Sequence, residues 1–225
     1  MIKGVAAGCL LIENMKNATK HAEELRSLFK RLLKEYKPEP PVPRDPLRAL
    51  VHAAMSFDVS DARAEEAMRA IEKEFVDLNE LRVATDLEIQ ELLGTKYPSI
   101  ERRVAMITQS LNAIFEKEHT MSLDRLRTLS KRDARQWVRE LPHIHPFVEA
   151  FVALTSFECH AIPVDDEISN YLHEHGIVED GVTLDDVQKF LEHAIKADEC
   201  HDLFVSLRRA AHADESGKAA KKKAK

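Results

Sequence analysis

The stretch Leu129-Ser-Lys-Arg-Asp-Ala-Arg-Gln-Trp-Val-Arg-Glu-Leu-Pro-His-Ile-His-Pro-Phe-Val-Glu-Ala-Phe151 carries the main indication of the fold. Its two prolines rule out one continuous helix, because proline removes a backbone donor and restricts the residue before it. Ser130 is a good N-cap for a first helix, and the second proline suits the first turn of another. Downstream, in Ile162-Pro-Val-Asp-Asp-Glu-Ile168, Asp165 stands where a further helix begins. The segment therefore predicts two helices joined by a tight turn, and then a carboxylate at a helix N-terminus.

Helical patterns continue on both sides of this segment. The chain has 6 Gly in 225 residues and is 32% charged, a composition rich in good helix formers. Apolar residues recur at steps of three and four, and no stretch competes as an alternating strand. The proline-rich connector 37–46 is not helical. We expect an all-α protein with helices at about 14–36, 47–56, 61–75, 77–83, 86–93, 99–118, 122–128, 131–139, 146–157, 165–175, 183–196 and 198–212.

Charge and cysteine content narrow the class of protein. A formal net charge of −6 argues against nucleic-acid binding by overall positive charge, so any DNA surface must be local. Residues 214–225 contain five lysines and predict a disordered basic tail, which either adds affinity for polyanions or only aids solubility. Cys9, Cys159 and Cys200 form no C-x-x-C pair, which favours a reducing, cytoplasmic environment over a disulfide framework. The apolar run 5–12 is too short to span a membrane.

The order of the segments resembles the helix-hairpin-helix DNA glycosylase superfamily, which contains endonuclease III. The resemblance rests on Leu141-Pro142 before the turn and on Val164-Asp165 one helix later. The upstream stretch 45–61 is similar to the family's proline-led first barrel helix, which ends in serine and aspartate. Together these motifs cover roughly residues 40–212.

The resemblance implies a two-lobed architecture. A central helical barrel lobe would span 48–157, and 1–47 would join 158–213 as a second helical lobe. Double-stranded DNA is then the expected partner, bound in the cleft between the lobes by a monomer. The iron–sulfur cluster of many endonuclease III relatives needs four closely spaced cysteines, and only Cys200 lies in that region, so no cofactor is expected.

The resemblance also assigns a catalytic carboxylate. In the family this aspartate stabilises positive charge on the sugar, or positions water, while the bond to a flipped base breaks. The matching residue is Asp165, for which the other interpretation is a plain N-cap. Relatives that also cleave the strand carry a lysine nucleophile where this chain has Phe147. A phenyl ring cannot attack the sugar, so a glycosylase without lysine-dependent lyase activity is implied.

The turn departs from the family pattern, because His143-Ile144-His145 replaces Gly-hydrophobic-Gly. Glycine there accepts positive φ and lets the backbone approach a phosphate. The segment therefore either binds phosphate, with the imidazoles as donors, or is retained only as a structural turn. His143, His145, Cys159 and His160 are able to ligate metal, but their spacing matches no known finger, and no metal site is expected.

Further DNA contacts follow from the resemblance. Arg102, Arg103 and Arg208 are candidate phosphate contacts, with solvated helix faces as the alternative. Ser56 and Asp58 fall in the base-flipping region, although a carboxylate is poorly suited to enter a base stack.

Two functions are left open by these residues. The first is a base-excision-repair glycosylase that cleaves the N-glycosidic bond of a damaged or mismatched base. The alternative is a catalytically inactive descendant that binds DNA or protein. A structural role that needs no catalysis, in the core or in the contact between the lobes, is expected for Phe57, Ile71, Phe75, Leu92, Ile107, Leu111, Ile114, Trp137, Phe151 and Leu154.

Overall fold

The structure is a computed structural model that describes the backbone of residues 18–223 and the side chains of 19–213. Within this range the chain forms α-helices, short 3₁₀ turns and loops, and no strand, which confirms the all-α prediction. The helices are α1 (Ala18–Tyr36), α2 (Pro46–Ser56), α3 (Asp61–Glu74), α4 (Leu78–Val83), α5 (Asp86–Leu93), α6 (Ile100–Glu118), α7 (Lys131–Arg139), α8 (Pro146–Phe157), α9 (Asp166–Glu174), α10 (Leu184–Ala194) and α11 (Cys200–Lys223).

Apart from shifts of one or two residues, the differences from the predicted bounds lie in one connector and at the end of α11, and residues 14–17 of the first predicted helix fall outside the described part. The segment predicted as a helix at 122–128 is a 3₁₀ turn, Asp124–Thr128. The backbone of α11 continues to Lys223, whereas the sequence predicts a disordered tail from 214. The side chains of 214–223 and the residues 1–17 and 224–225 lie outside the described part.

Side-chain caps explain where several helices begin. The Oδ1 atom of Asp45 accepts from the backbone N–H of Arg48 at 2.8 Å, with Pro46 in the first turn. Thr85 and Glu88 form a reciprocal capping box at the start of α5. Such contacts satisfy backbone donors that the first turn of a helix leaves without a partner.

The chain divides into two compact units. Unit 1 consists of Met1–Pro40 and Val164–Lys225, and unit 2 consists of Pro41–Pro163. Unit 2 contains α2 to α8 and starts and ends several residues outside the predicted lobe of 48–157. Unit 1 combines α1 with α9 to α11, and its α1 and α9 both pack against α11.

Most of the predicted core residues are buried in unit 2. Phe57, Ile71, Ile107, Leu111, Ile114, Phe151 and Leu154 are each less than a tenth exposed. Phe75, Leu92 and Trp137 are instead partly exposed, which corrects the prediction for these three. Trp137 lies beneath the ammonium group of Lys117, 5.1 Å from the indole centroid.

No helix among the described residues combines the length and the apolar character that crossing a membrane requires.

Candidate functional site

The helix-turn-helix of unit 2 is held together by one buried carboxylate. Glu149 of α8 is 2% exposed and accepts from Arg135 Nε at 2.6 Å and Arg139 Nη2 at 3.3 Å, both on α7. Arg135 also donates to the backbone oxygen of His160 at 2.9 Å. These contacts fix α7 against α8, and they use two arginines that would otherwise add positive charge to the surface.

The turn between α7 and α8 keeps a left-handed residue although its glycines are replaced. His143 has φ of 56° and is exposed, a conformation that a residue with a Cβ adopts at some cost. The backbone N–H of Ile144 closes the turn onto Leu141 O at 3.4 Å. The turn geometry is therefore present, and phosphate binding by it stays a prediction.

His145 serves the fold. Its Nδ1 atom accepts from the backbone N–H of Phe147 at 3.2 Å and so caps α8. Its ring stacks on Phe57 with centroids 4.3 Å apart. Burial, and then the neighbouring Arg102 and Arg103, lower the pKa of His145 to about 4. The imidazole is therefore uncharged at neutral pH and cannot neutralise a phosphate.

Arg103 is buried, which corrects its prediction as a phosphate contact. It is 1% exposed and donates to the backbone oxygens of Ala54, Phe57 and Pro98 at 2.6, 2.6 and 2.7 Å. Burial lowers its pKa to about 10, partly offset by Tyr97 and then Asp58, so it stays charged at neutral pH. Its guanidinium stabilises the C-terminal end of α2 instead of facing solvent.

Tyr97 is a structural residue at the same place that the sequence did not single out. It is buried, and its hydroxyl donates to the backbone oxygen of Met55 at 2.7 Å. The carbonyls at the end of α2 are thus satisfied by two side chains, Tyr97 and Arg103. A Tyr within a Gly- and Pro-bounded turn gave only a weak signal for this role.

The other predicted DNA-contact and base-flipping residues differ in exposure. Arg102 is exposed and close enough to His145 to lower its pKa, so it remains a candidate phosphate contact beside the turn. Ser56 is 1% exposed and its hydroxyl donates to His52 O at 2.6 Å, which removes it from the surface. Asp58 is half-buried in the left-handed conformation with φ of 51° just after α2.

Asp165 of unit 1 lies at the start of α9 and is 1% exposed. One carboxylate oxygen accepts from the backbone N–H of Ile168 at 3.0 Å, which is an N-cap contact. The other lies 3.3 Å from Nη1 of Arg208 on α11. Both predicted site residues are therefore brought together, but in a buried ion pair.

A second pair extends this contact between α9 and α11. Glu167 Oε2 lies 2.6 Å from Nδ1 of His212, four residues beyond Arg208 on α11. Arg208 is 6% exposed, so its prediction as a phosphate contact is replaced by a role within unit 1. Among the described residues, no group of three or more His, Cys, Asp or Glu side chains is arranged to hold a metal ion.

Comparisons of sequence find no relative. No family model matches the chain, and no curated protein matches it.

Comparisons of structure find several similar folds. A trapped endonuclease III–DNA covalent intermediate matches with a TM-score of 0.66 and 15% identity, over 83% of this chain and 84% of the other. The 8-oxoguanine glycosylase/lyase of Clostridium acetobutylicum in complex with double-stranded DNA matches with a TM-score of 0.68 and 15% identity, over 90% and 76%. The 3-methyladenine DNA glycosylase of H. pylori, bound to 1,N6-ethenoadenine, matches with a TM-score of 0.62 and 13% identity, over 89% and 99%.

These likenesses cover most of the chain at low sequence identity. Two of the three proteins are glycosylases by name and the third is an endonuclease III. The two helices and turn at 131–157 and the aspartate-capped α9 are the elements from which the sequence predicted this relationship. The chain has the helix-hairpin-helix DNA glycosylase fold.

Proposed function

We propose that this chain binds double-stranded DNA through the turn at 142–146 and does not excise bases. The observation that carries the proposal is the state of Asp165, which is buried, caps α9 and is paired with Arg208. A carboxylate can stabilise a developing sugar cation only if its charge faces the sugar. Here the positive charge that faces the Asp165 carboxylate is the guanidinium of Arg208 and not a sugar.

DNA binding is supported by the likeness to proteins captured on DNA and by the end of unit 2 that carries the turn. There His143 is exposed in the left-handed conformation, and Arg102 adds an exposed positive charge nearby. Phosphate contacts supply much of the affinity of a protein for DNA. With a net charge of −6, such binding is expected to be weak and local. We further propose that the chain acts as a monomer.

Salt titration tests the DNA-binding part. Binding of a fluorescent duplex, followed by anisotropy, should weaken as salt increases. Arg102→Ala should reduce the slope of log K against log salt by about 1, because one phosphate contact is lost. Arg69→Ala, which removes an exposed arginine of α3, is the matched control and should leave the slope unchanged. Binding with no dependence on salt would contradict the proposed surface.

A second candidate function is the monofunctional glycosylase that the sequence predicts, and the retention of Asp165 at the start of α9 favours it. In that case Asp165 must separate from Arg208 when DNA binds. Lysine-dependent strand cleavage by the family's route is not expected, because the matching residue, Phe147, is fully buried and has no nucleophilic atom.

Incubation with duplexes that carry a panel of damaged bases separates the two candidates. Alkali treatment converts any abasic product into a strand break. The noncatalytic proposal predicts no break with the wild-type chain or with Asp165→Asn. Base release by the wild-type chain that disappears in Asp165→Asn would overturn it in favour of the glycosylase.

A further inference from the structure

An open groove in unit 2 is lined by none of the candidate DNA-binding or catalytic residues described above. It has a volume of about 550 Å³, within the range of ligand-binding clefts. Helices α3, α4 and α5 and their connections supply its walls. The lining residues are Glu74, Phe75, Glu80, Val83, Ala84, Glu88, Glu91 and Leu92.

The groove has an apolar floor that is partly exposed to solvent. Phe75 and Leu92, two of the residues predicted for the core, line it and are partly exposed. Val83 also lines it and is 62% exposed. Val76, which follows Phe75 in the chain, and Leu87, which precedes Glu88, are 92% and 63% exposed. Exposed apolar side chains gathered in one region are typical of a surface that another molecule covers.

The rim of the groove is acidic. Four glutamates line it, and these eight lining residues include no lysine or arginine. Two of the glutamates serve the backbone, since Glu80 accepts from Val76 N at 2.6 Å and Glu88 from Thr85 N at 2.7 Å. Glu74 and Glu91 are exposed on the rim. Such a rim repels phosphates and attracts cations.

We propose that this groove binds a basic amphipathic peptide segment of a partner protein, with apolar side chains on the floor and lysines or arginines paired with the glutamate rim. Charge complementarity selects this occupant, because an apolar face alone would leave the rim unpaired and a nucleic acid would be repelled. Peptide binding by this groove does not depend on DNA binding by the turn, so an experiment that disproves one does not disprove the other.

Binding of a labelled synthetic peptide tests the groove directly. The probe has leucines along one helical face and lysines on both sides of that face. Its control has the same composition in scrambled order. The full chain should bind the ordered peptide about tenfold more tightly than the scrambled one. Equal binding of the two would overturn the proposal, because charge alone would then explain it.

Variants locate the binding on the chain. Glu91→Lys should weaken the ordered peptide about tenfold, whereas Glu66→Lys, an exposed glutamate of α3 that does not line the groove, should change it little. Val83→Ser tests the floor and should also weaken binding, with circular dichroism confirming that each variant is folded. Equal effects of Glu91→Lys and Glu66→Lys would place the peptide elsewhere and overturn the proposal.

Discussion

Asp165 and Arg208, two of the predicted site residues, form a buried ion pair. Both side chains are buried, at 1% and 7% exposure, and they lie 3.3 Å apart. A buried charge is tolerated when an opposite charge and hydrogen bonds compensate its lost hydration. Arg208 supplies the charge and the backbone of Ile168 supplies a hydrogen bond. On the proposal that the chain does not excise bases, the pairing that stabilises unit 1 is also what keeps the carboxylate from acting on a sugar.

Arg208→Met should destabilise the protein by about 3 kcal/mol, because it leaves the Asp165 carboxylate buried without its cation. Asp165→Asn in the same background should recover part of this loss. The free energies of unfolding of the wild-type chain, both single variants and the double variant, measured in urea, form a double-mutant cycle. Strictly additive losses would show that the two side chains are not coupled.

His145 predicts a loss of stability in mild acid. Its pKa is about 4 in the folded chain, against an ordinary value of 6.5. Between these values the unfolded chain binds a proton that the folded chain does not bind. The stability that the uncharged His145 contributes to the folded chain is therefore complete above about pH 6.5 and decreases as the pH falls towards 4.

Urea unfolding of the wild-type chain at pH 7 and pH 5 measures this effect. The decrease attributable to His145 should be on the order of 1 kcal/mol, reduced by the partial exposure of the imidazole. His145→Asn keeps a side chain that can cap α8 but does not titrate, and it should lose less stability between the two pH values. The same decrease in both proteins would assign it to other groups.

At the scale of helices, Glu149 adds a charged contact to the apolar packing between α7 and α8. The 2%-exposed carboxylate joins Arg135 and Arg139 of α7. Arg139 is 55% exposed, which weakens its share, whereas Arg135 is 18% exposed. The turn that carries His143 thus connects two helices that are joined by ion pairs.

Glu149→Gln should lower the free energy of unfolding by about 1–3 kcal/mol, because it removes the charge shared by two guanidinium groups. Glu158→Gln is the control, since the Glu158 side chain is 69% exposed and its carboxylate lies as far as 4.0 Å from the ammonium group of Lys131. That exposed pair should contribute less than about 1 kcal/mol. Thermal or urea unfolding compares the variants, and similar losses would contradict a special role for Glu149.

At the scale of the whole molecule, the chain passes once through unit 2 and twice through unit 1. Unit 2 is the continuous segment Pro41–Pro163, and its buried side chains include Leu50, Leu111 and Phe147. A continuous segment with its own apolar core is the kind of unit that folds independently.

A fragment of residues 41–163 should therefore unfold cooperatively on heating, with a helical circular dichroism spectrum. Unit 1 cannot be produced as one continuous fragment, because its two segments are separated in the chain by the whole of unit 2. A fragment that melts without a transition would show that unit 2 depends on unit 1 for stability.

Local signals in the sequence were strong enough to determine the helices. The bounds predicted for α5, α7 and α8 agree with the structure, because caps and prolines act within one turn of the chain. Arg103 could also have been placed from the sequence. It lies three and four residues from Ile100 and Ile107, on the apolar face of α6.

The sequence alone thus determined the all-α class and the helix-turn-helix, since these depend on periodicity and on short-range caps. It predicted the likeness of fold through the resemblance of its motifs to a known family. Only the tertiary structure decided that Asp165 is paired with Arg208, that Arg103 donates to the carbonyls at the end of α2, and that Phe75 and Leu92 line an open groove. Burial and charge pairing depend on which helix faces which. Residues 43 positions apart in the chain, such as Asp165 and Arg208, reveal their contact only after folding.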